Sequence, residues 1–161
     1  AALVPLKRYR DMFFYAPTML VYKQENAPAP ALDILSIRLT RDPNGNLMYT
    51  RAATSPNTWQ LAKLHVGCAD NQYHQWLEHL GYAHLAMEPL AIATHNALSG
   101  DHPIADLLRP HFRATIGINF LARQTLVADV APFTDRTFST GTAQALQMFL
   151  GAWQSFDIMR F

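Results

Sequence analysis

The sequence predicts a mainly α-helical chain with a small N-terminal β-hairpin or sheet and a long central helix. Three observations carry that expectation. An alternating apolar stretch is closed by a turn signal between residues 32 and 50, apolar residues recur at helical spacing from Trp59 to about Leu98, and start and stop residues bracket that run. Met19-Leu-Val-Tyr22 is short, apolar and strand-prone. Asn26-Ala-Pro-Ala-Pro30 fits neither a helix interior nor a central strand, because proline lacks the N–H both need. In Leu32-Asp-Ile-Leu-Ser-Ile-Arg-Leu-Thr40, Leu35, Ile37 and Leu39 fall on one face of a strand and Ile34, Ser36, Arg38 and Thr40 on the other. Asp42-Pro-Asn-Gly-Asn46 marks a turn, and Leu47-Met-Tyr-Thr50 returns as the hairpin partner.

Ser55-Pro56 reads as an N-cap followed by proline at the first helical position. Beyond it Trp59, Leu61, Ala62, Leu64, Val66, Ala69, Tyr73, Trp76, Leu77 and Leu80 continue a helical pattern, which Pro89 interrupts and Ser99-Gly100-Asp101 ends. A helix of about 40 residues exceeds the usual range of roughly 8–20, so a kink is expected within it. Apolar residues on most of its faces imply burial in a larger helical body. Shorter helices are expected at 103–108, 112–128 and 140–155, with Pro132-Phe-Thr-Asp135 as a loop before the last. The resulting organisation is 1–54 sheet and loops, 55–98 long helix, and 99–161 shorter helices.

Composition narrows the function. The 161 residues include 13 Lys and Arg against 12 Asp and Glu, a net charge of +1, which argues against a nucleic-acid surface. Only 16% of residues are charged, below the roughly 25% of typical soluble domains, while 50% are hydrophobic. The single cysteine, Cys68, excludes an internal disulfide and a thiolate zinc knuckle, and reads as a buried small apolar residue. No apolar run reaches the roughly 18 residues of a membrane span. The charges follow the first apolar stretch, the reverse of a signal peptide, and the absence of an initiating Met points to a processed or excised N-terminus.

Six of the seven His lie between His74 and His111. Five form the string His74-x4-His79-x4-His84-x17-His102-x8-His111, with His95 in the longest gap. Residues five apart on an α-helix point about 140° from one another, so a shared metal requires a locally widened, π-type turn. The spacing differs from the i,i+4 pair of zinc proteases, and their glutamate is missing. For any single His, and most of all His65 and His95, the plainer alternative is a hydrogen-bonded residue in a buried helix.

At every interval the string resembles that of the lipoxygenases, the non-haem iron dioxygenases of polyunsaturated fatty acids. Trp59-Gln-Leu-Ala-Lys63, Glu88-Pro89, Ile92-Ala93-Thr94, His102-Pro-Ile-Ala-Asp-Leu-Leu-Arg-Pro-His-Phe-Arg113 and Ile118-Asn-Phe-Leu-Ala-Arg-Gln124 resemble the family's iron helix and the blocks that follow it. Arg10-Asp-Met-Phe-Phe14 and Leu35-Ser-Ile-Arg-Leu39 are fainter echoes of its upstream segments. The resemblance implies a central segment of a lipoxygenase catalytic domain, of bacterial type, whose long helix binds iron through a π-turn.

It also implies roles. His79 and His84 are the iron ligands, while His74, His102 and His111 serve packing and hydrogen bonding. Gln75 matches an amide beside the ligands that links the iron site to the substrate cavity; its alternative is a solvated helix residue. Ala122 matches the small residue that directs oxygen to one face of the substrate radical and suggests S stereochemistry. Leu126 matches a leucine that clamps the reactive pentadiene. For both, plain packing is the alternative. Phe133 and Thr137 lie where relatives set pocket depth. Asn119 is not the family's asparagine ligand, which comes from a later helix.

The implied reaction removes a hydrogen atom from a bis-allylic carbon and captures dioxygen on the resulting radical, giving a conjugated diene hydroperoxide. The implied partners are a polyunsaturated fatty acid, dioxygen and the remaining segments of the domain, with membrane lipid as a further source of substrate and no nucleic acid. The compartment stays open between cytoplasm and, for a bacterial protein, periplasm or secretion. The family's iron also takes a third His, a further Asn or His, and the carboxylate of a C-terminal Ile. Here no His follows His111 and the chain closes on Asp157-Ile-Met-Arg-Phe161. A two-His site exchanges its metal readily, so the chain is expected to act only with the remainder of its domain. The alternative, from a different class, is a non-catalytic helical fragment that binds lipid or a partner chain.

Overall fold

A computed structural model describes residues 14–25, 31–42, 44, 47–128, 131–154 and 156–157. Residues 10–13 and 158–161, the Asn26–Pro30 stretch and three residues of the 42–46 turn, about which the sequence made specific suggestions, lie outside them. The chain divides into two compact units at Asn71/Gln72.

In the first unit β1 (Thr18–Gln24), β2 (Ala31–Arg38) and β3 (Met48–Thr50) form an antiparallel sheet in the order β1-β2-β3. The hairpin expected between β2 and β3 is present: Leu39 N–H donates to the Leu47 carbonyl (2.9 Å) and Asn44 N–H to Asp42 Oδ1 (2.9 Å). The simple alternation expected for β2 is not. Leu20 pairs with Ser36 but Val21 with Ile34, so Leu35 is an extra residue at a bulge. The bulge shifts the phase of the pleat. Ile34, Ile37 and Leu39 therefore pack in one core while Leu35 is 52% exposed. Ile37 is wholly buried among Leu39, Trp59 and Ala62, a burial that contributes about 1.5–3 kcal/mol.

Helix α1 (Pro56–Tyr73) begins as expected. Ser55 Oγ accepts from the Thr58 N–H at 3.3 Å, and Pro56 occupies the first position, where its missing N–H removes no helical bond. Its Trp59 and Ala62 close the sheet's core. Cys68 is half-buried rather than fully buried.

In the second unit α1 passes directly into a π-helical segment, His74–Leu85, twelve residues long rather than a single widened turn. Helix α2 (Glu88–Ala97) follows after Ala86 and Met87. The interruption thus precedes Pro89, which sits harmlessly in the first turn of α2. Helices α3 (Pro103–Leu108), α4 (Thr115–Thr125), α5 (Pro132–Thr137) and α6 (Gly141–Gln154) complete the described elements, with a 3₁₀ turn at Arg109–Phe112. The helix expected over 112–128 is shorter because Ala114 adopts a left-handed φ of 60° between the 3₁₀ turn and α4. The loop expected at Pro132–Asp135 is helix α5 instead. Proline initiates it, and Asp135 Oδ1 accepts from the N–H (2.9 Å) and Oγ1 (2.8 Å) of Thr142.

Helix α6 packs on the π segment, which buries Trp76, Leu77, Leu80 and Gly81. A Cβ at Gly81 would lie 3.2 Å from the Trp76 carbonyl oxygen and 3.4 Å from the Phe149 ring, so glycine permits this approach. Helix α4 packs on both the π segment and α2. Among the described residues no helix is long and apolar enough to cross a membrane.

Candidate metal centre

Widening the helix at His74–Leu85 brings side chains five residues apart onto one face. His79 Nε2 and His84 Nε2 face each other at 3.2 Å, their ring centroids 4.8 Å apart and their planes at 74°. Imidazole nitrogens bind divalent zinc at about 2.0–2.1 Å, and two such nitrogens at right angles about a metal lie roughly 3 Å apart. The pair therefore has the separation of adjacent ligands on one ion.

The opposite edges of both rings are held by amide oxygens. His79 Nδ1 donates to Gln75 Oε1 at 2.8 Å, and His84 Nδ1 donates to Asn119 Oδ1 at 3.0 Å. The orientation of the Asn119 amide is dictated by its nitrogen, which donates to the His84 carbonyl (3.0 Å) and to Glu88 Oε2 (2.7 Å). Both of those partners only accept. With each Nδ1 a donor, the neutral rings present bare Nε2 lone pairs to one another. No hydrogen bond closes between two acceptors; an added proton or a metal cation satisfies both.

Although His79 is exposed, partial desolvation first, then the neighbouring imidazoles of His84 and His74, hold it below the ordinary histidine range, which favours its neutral form. The Arg123 guanidinium, 2.6 Å from Glu88 Oε2, is the chief reason that the Glu88 carboxyl lies below its usual range, with Asn119 adding to it against the opposing effect of burial. The Glu88 side chain is 12% exposed and Asn119 is wholly buried.

This donor set fits part of an iron site, since neutral imidazole suits iron. His79 and His84 supply two donors, and among the described residues no group of three or more His, Cys, Asp and Glu is placed to hold an ion. His74 stacks on His79 at 6.3 Å with planes 7° apart. His102 caps α3, its Nδ1 accepting from the Ile104 N–H at 3.2 Å. His95 and His111 are exposed. His65 meets Tyr15 edge to face at 4.8 Å in the first unit. Ala122 is buried on α4, with Leu126 half-buried one turn on, at the helix's end. Phe133 and Thr137 lie one turn apart on α5, both exposed.

The sequence reading of the site had no place for the chain of contacts from Arg123 through Glu88 and Asn119 to His84. Its trace is faint: Glu88 lies one turn after His84, and Asn119 and Arg123 share a face of α4 at i,i+4. Nothing in that spacing says the two faces meet.

Residues 3–156 match the sequence family described as Lipoxygenase. The chain is 35% identical over 153 residues to linoleate 9S-lipoxygenase 1 of Oryza sativa subsp. japonica, covering 89% of this chain and 17% of that protein. It is 42% identical over 108 residues to linoleate 13S-lipoxygenase 2-1, chloroplastic, of Solanum tuberosum (62% of this chain, 12% of the relative). It is 50% identical over 76 residues to lipoxygenase 4, chloroplastic, of Arabidopsis thaliana (47% and 8%). The chain thus spans about one-sixth or less of these relatives, and as plant proteins they lend no support to a bacterial type. With nearly its whole length inside the family match, and an i,i+5 histidine pair meeting on a π-helical segment, this chain belongs to the lipoxygenase family.

Proposed function

We propose that this chain is the iron-helix segment of a catalytic domain that dioxygenates polyunsaturated fatty acids. The observation that carries the reading is the His79–His84 pair, with lone pairs facing at 3.2 Å on a π segment. His79 and His84 hold one non-haem iron together with ligands from the remaining segments of the domain. Bound there, the iron supplies the one-electron oxidation that starts hydrogen-atom removal from a bis-allylic carbon.

The rest falls to the polypeptide. Gln75 fixes the His79 ring from behind, which supports its reading as the amide that would tie the metal site to the substrate. Ala122, small and buried, leaves room for dioxygen on one face of the substrate radical, and Leu126 presses the pentadiene toward the iron. On this reading an apolar pocket of the complete domain would keep water from that radical. Two of the relatives are named as linoleate 9S- and 13S-lipoxygenases, which supports linoleate as a substrate class and an S product while leaving the carbon undecided. Ile118, Phe120 and Leu121 on α4 are 47–57% exposed, which supports partnership with further segments of the same domain.

The test is oxygen uptake and conjugated-diene absorbance with linoleate in the intact protein. Wild type is expected to show both and His79→Ala and His84→Ala neither. An intact, iron-loaded protein with no oxygen uptake favours the lipid- or partner-binding alternative.

A further inference from the structure

We propose that Asn119, oriented by Glu88 and Arg123, is a positioning residue that locks His84 in the tautomer able to bind metal. The inference rests on the iron-site reading of His79 and His84 and deepens it. A neutral histidine side chain in water favours the proton on Nε2, the wrong nitrogen for a ligand that must present Nε2. Asn119 Oδ1, 3.0 Å from His84 Nδ1, reverses that preference, because a carbonyl oxygen only accepts.

An asparagine alone is a poor lock, since rotating its amide by half a turn offers NH₂ to the ring and selects the opposite tautomer. Here the rotation is blocked twice. Asn119 Nδ2 donates to the His84 carbonyl at 3.0 Å and to Glu88 Oε2 at 2.7 Å, and a turned amide would aim its oxygen at both acceptors. Glu88 Oε2 is itself held by Arg123 at 2.6 Å, so the carboxylate cannot swing away without breaking an ion pair. Asn119 is wholly buried, so water does not replace either bond. The His84 carbonyl lies at the close of the π segment, where helical carbonyls lack intrahelical partners, so the same amide satisfies that end. Ring and backbone of His84 are thus fixed by one side chain from a helix 35 residues away.

The test compares wild type, Asn119→Leu, Glu88→Leu and Glu88→Gln in the intact protein. Iron content and the rate of iron loss to a chelator are measured. With the iron removed, the His84 tautomer is read by ¹⁵N NMR on histidine-labelled protein. Wild type is expected to carry iron and, iron-free, the Nδ1–H tautomer. Asn119→Leu is expected to move His84 toward Nε2–H and weaken iron binding about 10–100-fold. Glu88→Leu removes the anchor without touching the ring and is expected to act in the same direction even if Asn119→Leu does not fold. Glu88→Gln keeps an acceptor and is expected to preserve the wild-type tautomer. Unchanged tautomer in both Leu variants overturns the lock, whatever happens to stability. Wild type without iron but with the Nδ1–H tautomer instead overturns the metal reading and leaves the lock standing.

Discussion

Among single residues, the contacts that decide stability and site geometry are polar and buried. Thr140 Oγ1 donates to Gln72 Oε1 at 2.7 Å, and both side chains are at most 2% exposed. Thr140→Val keeps the shape and strands a buried acceptor, so urea unfolding is expected to show a loss of about 1–3 kcal/mol; Thr140→Val with Gln72→Leu should lose less. Glu88 gives a pH-dependent expectation. Its carboxyl is lowered on folding from the ordinary 4.5, chiefly by Arg123, so its stabilisation is full above that value and is lost as pH falls through the lowered one. Arg123→Met should therefore be less stable than wild type at neutral pH, with the gap closing on acidification; a pH-independent gap contradicts this origin. The choice of His79 and His84 as candidate ligands came from the family resemblance, since the same five-residue spacing also relates His74 to His79; only that spacing, a local property, was legible in the residues themselves. Asn119, Glu88 and Arg123 were not, because their meaning arises only when α4 packs against the π segment and α2.

At the scale of elements, a small sheet, a long helical run and helices at 103–108 and 140–155 were expected from local sequence chemistry, and the structure places helices at Pro103–Leu108 and Gly141–Gln154. The departures have local causes too, but ones that composition hides. The bulge at Leu35 is a pairing decision made with β1, and no alternation within β2 reveals it. Helix α5 was masked because Pro132 reads equally as a loop residue and as a helix initiator. Ala114 carries a left-handed φ of 60°, which disfavours a side chain by about 1–2 kcal/mol. Ala114→Gly is expected to raise the thermal midpoint modestly, because relief of that strain exceeds the added freedom of the unfolded chain. A lowered midpoint would contradict the left-handed conformation.

For the molecule as a whole, the low charge content takes on a definite meaning. Leu61 and Leu64 in α1, Ile104 and Leu107 in α3, and Phe120 and Leu121 in α4 are all more than half exposed. The 161-residue chain by itself is expected to self-associate and to bind a hydrophobic dye; a monomer that binds none would show that these faces need no cover. Under the proposed function such faces would be covered by other segments of the domain. The central proposal is narrower, that His79 and His84 together would bind one metal ion. Its most direct test is the iron content of the intact protein. About one iron per wild-type molecule is expected, as a mononuclear site requires, and little in folded His79→Ala or His84→Ala. Full iron retention in both folded variants, or none in wild type, would contradict it.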